Sequence, residues 1–254
     1  MSAAVVLVTG ASRGIGLAVT RMLLEKQHRV VTISRSLPDA LQELAAKYPD
    51  TLATIRGDVA DPAIVDAAVS RFGKLDALIL NAGTALPFAR IADAEKAPLD
   101  AWRAHFETNF FSLVTTLHRA TPLLRESNGA RVIFVSSGAA TGSTGAWGPY
   151  NAAKAAMNSL ARTFANEEPS ITSIAFRPGV VDTEMQGEIR SVARESMKPD
   201  EYDRFITLHE TGKLASPDVP ANVIVRLALE APKELSGQFI SIDGPECAPY
   251  KTVN

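Results

Sequence analysis

Two residues four apart, Tyr150 and Lys154 in the stretch WGPYNAAKAAMN (147–158), have the types and spacing for proton transfer. On a helix, positions i and i+4 share a face, so the phenol and the ammonium stack one turn apart. Pro149 suits the start of that helix, where its missing N–H would have no intrahelical partner. The Ala-rich run that follows is strongly helix-forming. A free phenol titrates near ~10 and is a poor acid–base catalyst at neutral pH. A cation ~4 Å away, at an effective dielectric of ~20, contributes about 4 kcal/mol and would bring the phenol close to neutrality. The pair alone also describes a surface Tyr with a solvated Lys one turn on, so its company decides.

The elements that must position this pair alternate between strand and helix. Ala4 to Thr9 is a β-branched apolar run of the kind buried in parallel sheets. It passes directly into Gly10-Ala11-Ser12-Arg13-Gly14-Ile15-Gly16 and a helical pattern through Leu17, Met22 and Leu24. Strand, glycine-rich turn and helix together set a pyrophosphate on a helix N-terminus. Gly10, Ser12, Arg13, Gly14, Ile15 and Gly16 are therefore expected around a dinucleotide. Arg29 to Ser34 reads as the second strand, with Arg35 directly after it, where such a fold meets the adenosine ribose. An acid there would bond a free 2′-hydroxyl. Ser34, Arg35 and nearby Arg13 suit a 2′-phosphate instead, since guanidinium binds phosphate in bidentate fashion. NADPH is the expected cofactor rather than NADH.

The alternation continues through a helix at 38–47, a strand at 51–56 and a helix at 61–72 with Asp61 as N-cap and Pro62 at N1. Asp58, followed by Val59, ends the third strand; its carboxylate either meets the adenine amino group or caps the turn. Residues 75–80 form the fourth strand, closed by Asn81-Ala82-Gly83, where a glycine lets backbone approach a ligand. The periodic segment 99–124 reads as one helix carrying Trp102, Phe106, Phe110, Leu113, Val114 and Leu117. Asn109 is polar on that crowded face: it bonds its own backbone, or it holds a water for a proton relay. Ser137 follows the fifth strand (131–136) at the C-terminal edge, where ligands sit in open parallel sheets. It precedes Tyr150 by 13 residues across a Gly-rich loop, enough to fold back and share an oxygen ligand.

The sixth strand, 172–176, runs into Arg177-Pro178-Gly179-Val180-Val181-Asp182-Thr183, and the Val181 backbone and Thr183 hydroxyl are expected to meet a carboxamide, with Pro178 and Gly179 beside it. Residues 184–213 are mixed and amphipathic, a connection of the length that serves as a lid over a site. Trp147, Met185, Tyr202 and Phe205 are the expected apolar wall of a substrate pocket. A helix at 218–230 and a strand at 238–242 complete the chain.

These features fit one α/β domain over residues 1–254, a doubly wound parallel sheet of about seven strands with helices on both faces. A net charge of −2 gives no electrostatic case for nucleic acid or an anionic membrane. No apolar run approaches the ~18 residues of a membrane span, and the N-terminus lacks a basic leader, so a soluble, cytoplasmic protein is expected. Cys247 stands alone and cannot form an internal disulfide, which fits a reducing compartment. His28, His105, His118 and His209 lack paired-ligand spacing, and no metal site is expected. The segments 99–124 and 150–167 carry more apolar surface than one sheet face covers, which suggests a two-fold homodimer.

Taken together, TGASRGIG (9–16), NAG (81–83), Asn109, Ser137, YNAAK (150–154) and RPGVVDT (177–183) resemble the short-chain dehydrogenase/reductase family over nearly the whole chain. The resemblance implies a single-domain Rossmann fold and a catalytic set of Asn109, Ser137, Tyr150 and Lys154. In that family the Ser positions the substrate carbonyl, the Tyr donates the proton and the Lys also bonds the nicotinamide ribose. NFFS (109–112), VSSGA (135–139), Trp147 three residues before the Tyr, NEEPS (166–170) and GVVDTEMQ (179–186) resemble the sepiapterin reductase branch. They are most similar to its fungal relatives described as benzil reductases, which reduce one carbonyl of a bulky aromatic 1,2-diketone to (S)-benzoin. Sepiapterin reductases end in a strand whose Asp anchors the pterin; aligned from Gly237, this chain has Ser241 there. An apolar carbonyl substrate is therefore expected, with a pterin or general ketone reductase as the alternative within the class. A catalytically silent NADPH-binding sensor on this fold should have lost the Tyr or the Lys, and neither is lost.

Overall fold

The computed structural model describes residues 3–251. Its centre is a sheet of seven strands: β1 (Val5–Thr9), β2 (Arg29–Ser34), β3 (Leu52–Arg56), β4 (Ala77–Leu80), β5 (Arg131–Val135), β6 (Thr172–Arg177) and β7 (Phe239–Ser241). All neighbours are parallel, in the order β3-β2-β1-β4-β5-β6-β7, with Val6 opposite both Val30 and Ala77. The order reverses at β1 and β4, and there the strand ends open a crevice for a ligand. β1 is buried along its whole length, as its unbroken β-branched run requires of a strand covered on both faces.

Helices α1 (Gly14–Glu25), α2 (Asp39–Lys47) and α9 (Asp218–Glu230) cover one face, where Val19, Leu23, Ile224 and Leu227 pack on Val6, Val8, Ile133 and Phe176. Helices α3 (Pro62–Val69), α5 (Ser112–Glu126) and α6 (Gly148–Glu167) cover the other, where Val65, Leu117, Met157 and Ala161 meet Leu7, Leu78, Leu80 and Phe134. The side chain of Asp61 accepts from the Ala63 N–H at 2.9 Å, the expected cap of α3. The lid segment forms two helices, α7 (Glu184–Val192) and α8 (Pro199–Glu210), and the Tyr202 hydroxyl donates to the Arg190 carbonyl at 2.6 Å, tying one to the other. A four-residue helix, α10 (Ala248–Lys251), ends the described chain.

The segment 99–124 is not one regular helix. α4 (Leu99–Phe106) is followed by a π turn, Glu107–Phe111, before α5 resumes the α pattern. Asn109 donates its side-chain amide to the His105 carbonyl at 3.1 Å. That carbonyl, four residues back, is the acceptor its own backbone N–H would take in an α-helix, so the side chain competes for it and the ladder slips by one residue. Among the described residues no helix is long and apolar enough to cross a membrane, and no group of three or more His, Cys, Asp or Glu side chains could hold a metal ion.

Candidate active site

A cleft of about 790 Å³ runs along the C-terminal strand edge from Arg35, just after β2, to Phe205 on α8. Every residue assigned from sequence to the dinucleotide lines it except Gly16. Gly16 lies beneath the floor, where an added Cβ would come 2.2 Å from the Gly10 carbonyl oxygen and 2.6 Å from Asn81 Nδ2. Gly10 itself has φ +71°, a left-handed conformation that disfavours any residue with a Cβ. The Asn81 amide donates to the Thr9 and Gly10 carbonyls at 3.0 Å each, stapling the NAG turn to the glycine turn. Arg13 gives α1 no side-chain cap, so among the described residues the first amides of α1 are left uncapped at the cleft. A glycine cradle, an uncapped helix start and this volume fit a dinucleotide.

At the end of the cleft beside β2, Arg35 is exposed and free of any carboxylate among the described residues. Arg56, opposite Ser34 in the β2–β3 register, donates Nε to the Arg35 carbonyl at 3.4 Å and adds a second cation at this edge. Sequence reading missed Arg56, because only strand register brings it beside Arg35. The Ser34 hydroxyl donates to the Ser36 carbonyl at 2.9 Å. Asp58 lines the cleft, and its Oδ1 accepts the Ala60 N–H at 2.9 Å and so caps the turn. Arg13 reaches across the cleft and forms ion pairs with Glu184 and, at 3.6 Å, Glu188, both on α7.

At the other end α6 starts at Gly148 with Pro149 in its first turn, and brings Tyr150 and Lys154 onto its buried face. Ser137 lies beside the Tyr150 phenol, close enough to lower its pKa, and its Oγ accepts the Ala139 N–H at 3.1 Å. Lys154 is 4% exposed; its Nζ donates to the Val135 carbonyl at 2.8 Å and lies 5.6 Å from the Tyr150 ring centroid. The electrostatics correct the expectation of a phenol drawn down by its lysine. Burial pushes the Tyr150 hydroxyl up, and the neighbouring Ser137 only partly opposes it. Burial also brings Lys154 down to about 7. Desolvation disfavours the charged form of each group and is the leading cause of both shifts.

Asn109 is fully buried and spends its side chain on backbone: Nδ2 on the His105 carbonyl and Oδ1 on the Thr84 N–H, each at 3.1 Å. The side chain thus bonds backbone, and it fixes the Gly83-Thr84 wall beside Lys154. His105, which the sequence did not mark, is buried against the Tyr150 ring edge, with centroids 6.2 Å apart. Its Nδ1 lies 2.7 Å from the Leu86 carbonyl, an acceptor only, so Nδ1 carries the proton. Burial lowers its pKa, the Leu86 bond opposes this and the Lys154 charge adds to it. Trp147 stacks on Phe205 with centroids 5.4 Å apart and meets Tyr150 edge-on at 5.6 Å. Trp147, Met185 and Phe205 line the cleft as expected, whereas Tyr202 lies behind the wall because its hydroxyl is tied to Arg190.

Residues 4–194 match the family model described as short chain dehydrogenase. The chain belongs to the short-chain dehydrogenase family, which is a family of oxidoreductases. An uncharacterized oxidoreductase of Schizosaccharomyces pombe is 44% identical over 93% of this chain and 95% of its own length. A benzil reductase ((S)-benzoin forming) of Saccharomyces cerevisiae is 35% identical over 97% of this chain and 98% of its own. The crystal structure of a short chain dehydrogenase/reductase from Saccharomyces cerevisiae superposes with a TM-score of 0.92 at 36% identity, covering 98% of this chain and all of that one. Membership of the family and the parallel Rossmann architecture agree with the sequence motifs that suggested them.

Proposed function

We propose that this short-chain dehydrogenase is an NADPH-dependent carbonyl reductase that reduces one carbonyl of a bulky aromatic 1,2-diketone, in the manner of a benzil reductase forming (S)-benzoin. The observation that carries the reaction type is the pairing of Ser137 and Tyr150 in the cleft with Lys154 buried behind them, at the end away from Arg35. Support for the substrate comes from the benzil reductase relative and from the aromatic wall of Trp147 and Phe205. Support for NADPH comes from Arg35, which lines the cleft and forms no ion pair with any described residue, and from Arg56 bonded to its carbonyl.

When bound, the nicotinamide supplies the hydride. Ser137 and Tyr150 hold the carbonyl oxygen through their hydroxyls. The raised phenol stays protonated at neutral pH, which is the form a donor needs for reduction. As charge builds on the substrate oxygen, Tyr150 gives up its proton, and the Lys154 ammonium offsets the phenolate left behind. With a pKa of about 7, Lys154 can both hold and pass a proton near neutrality. The same reading has the protein cytosolic and a homodimer, the latter supported by Phe111, 48% exposed at the end of the π turn. A monomer in light scattering at working concentration would refute the dimer.

The test follows NADPH oxidation with benzil, sepiapterin, quinones and simple ketones, in the wild type and in Tyr150→Phe. Turnover of benzil is expected in the wild type only, with NADPH binding retained by the variant. Turnover by Tyr150→Phe would overturn the acid assignment, and sepiapterin turned over as well as benzil would overturn the substrate.

A further inference from the structure

Arg177 ends β6, and its guanidinium lines the cleft half-buried, with no hydrogen bond or ion pair to any described residue. It rests on Gly138, the residue directly after Ser137: a Cβ added there would come 3.0 Å from Arg177 Nε, 3.1 Å from Cζ and 3.2 Å from Nη2. The absence of a side chain at 138 is thus what lets this cation lie beside the oxygen-holding serine. The ladder fixes the same placement, since Ser136 donates its N–H to the Phe176 carbonyl at 2.8 Å, which sets Arg177 level with the Ser137 corner.

Arg177 is too far along the sheet to serve the phosphates. Three strand spacings separate β6 from β1 in the sheet order, about 14 Å, and four separate it from β2. The glycine turn and the Arg35 edge therefore lie beyond its reach, and what it faces is the reaction end. A guanidinium taken partly out of water without an acceptor pays a desolvation cost that a ligand oxygen can recover, and its planar fork suits oxygen acceptors.

Resting on the carbonyl-reduction reading above, we propose that Arg177 binds a second substrate oxygen, on the carbon next to the reacting carbonyl, and so selects vicinal oxo compounds over simple ketones. The recognised chemistry is an oxygen acceptor adjacent to the carbonyl that Ser137 and Tyr150 hold. A neutral 1,2-diketone and a 2-oxo carboxylate both present it. Arg177 acts in binding and orientation, and the proton remains the business of Tyr150.

The experiment compares wild type, Arg177→Met and Arg177→Lys in steady-state NADPH oxidation with three probes. Benzil carries a neutral second oxygen, benzoylformate an anionic one, and deoxybenzoin has the bulk of benzil without it. Arg177→Met is expected to lose about 10- to 100-fold in kcat/KM on benzil, on benzoylformate or on both, mostly through KM, as fits the loss of a charged hydrogen bond. Deoxybenzoin should lose several-fold less. A larger loss on benzoylformate identifies the carboxylate as the better ligand; a larger loss on benzil identifies the diketone. Arg177→Lys, which keeps the charge without the fork, should recover benzoylformate more than benzil and guards against a Met variant that fails to fold. An equal loss on all three probes, or no loss on any, overturns the anchor while leaving carbonyl reduction in place. A wild type inactive on all three probes overturns the carbonyl-reduction reading and the anchor with it.

Discussion

Replacing Lys154 by Met separates the cost of the buried ammonium from its use. Burial lowers its pKa from 10.5 to about 7, so the folded chain holds that proton more than three decades less tightly than the unfolded chain. At about 1.4 kcal/mol per decade the penalty for folding around the charged form is about 4–5 kcal/mol. Because the folded pKa is depressed, the penalty is full below pH 7, where both states hold the proton. It is relieved as pH rises from about 7 toward 10.5, where only the unfolded state holds it. Met removes the charge but leaves the Val135 carbonyl without its 2.8 Å donor, a loss of about 1–2 kcal/mol. Lys154→Met should therefore be more stable than wild type by about 2–4 kcal/mol at pH 6, and the advantage should vanish or reverse by pH 10. Urea denaturation of both proteins across that range measures it, and groups that titrate alike in both cancel in the difference. A gap between the two proteins that stays constant from pH 6 to 10 would refute the buried-charge account. Turnover should be lost at every pH in the same variant.

Arg35→Asp should lower kcat/KM for NADPH by about 10- to 100-fold and raise the preference for NADH, as expected when a charged phosphate contact becomes a repulsion; unchanged selectivity would refute the 2′-phosphate site. Gly16→Ala should abolish cofactor binding and lower the melting temperature, because its Cβ would sit 2.2 Å from the Gly10 carbonyl oxygen; calorimetric titration with NADPH gives the answer, and wild-type affinity would contradict the close approach. Asn109→Leu leaves the His105 carbonyl and the Thr84 N–H unpaired, which should cost about 2–4 kcal/mol. Amide exchange should quicken in residues 84–88 of that variant, and unaltered exchange there would show that Asn109 does not hold the loop.

The sheet was legible because its strands are short β-branched runs separated by helix-length segments, and the two-face burial of β1 follows from its unbroken apolar pattern. The glycine turn, Ser137, Tyr150 and Lys154 were legible for another reason: each sits at the end of a strand or on the first turns of a helix, where local sequence fixes position. Three things were not. The π turn at Glu107–Phe111 hid behind apolar periodicity, since its cause is one side chain taking a carbonyl rather than any change of pattern. Arg56 comes beside Arg35 only through strand register. The charge states of Tyr150 and Lys154 depend on how deeply the rest of the chain buries them, which spacing along one helix cannot report.

The slipped ladder at Glu107–Phe111 has a consequence for how this chain can change. Each residue of an α-helix advances the side-chain direction by about 100°, so one inserted residue gives α4 and α5 separate phases. α4 turns His105 toward Tyr150, while α5 turns Leu113, Leu117, Ala120 and Leu124 inward against the sheet. Removing a single residue from the turn would straighten the rod and rotate one of those stripes out of place. Chemistry and packing are thus geared together at one joint, and drift in this stretch is confined to substitutions that preserve its length.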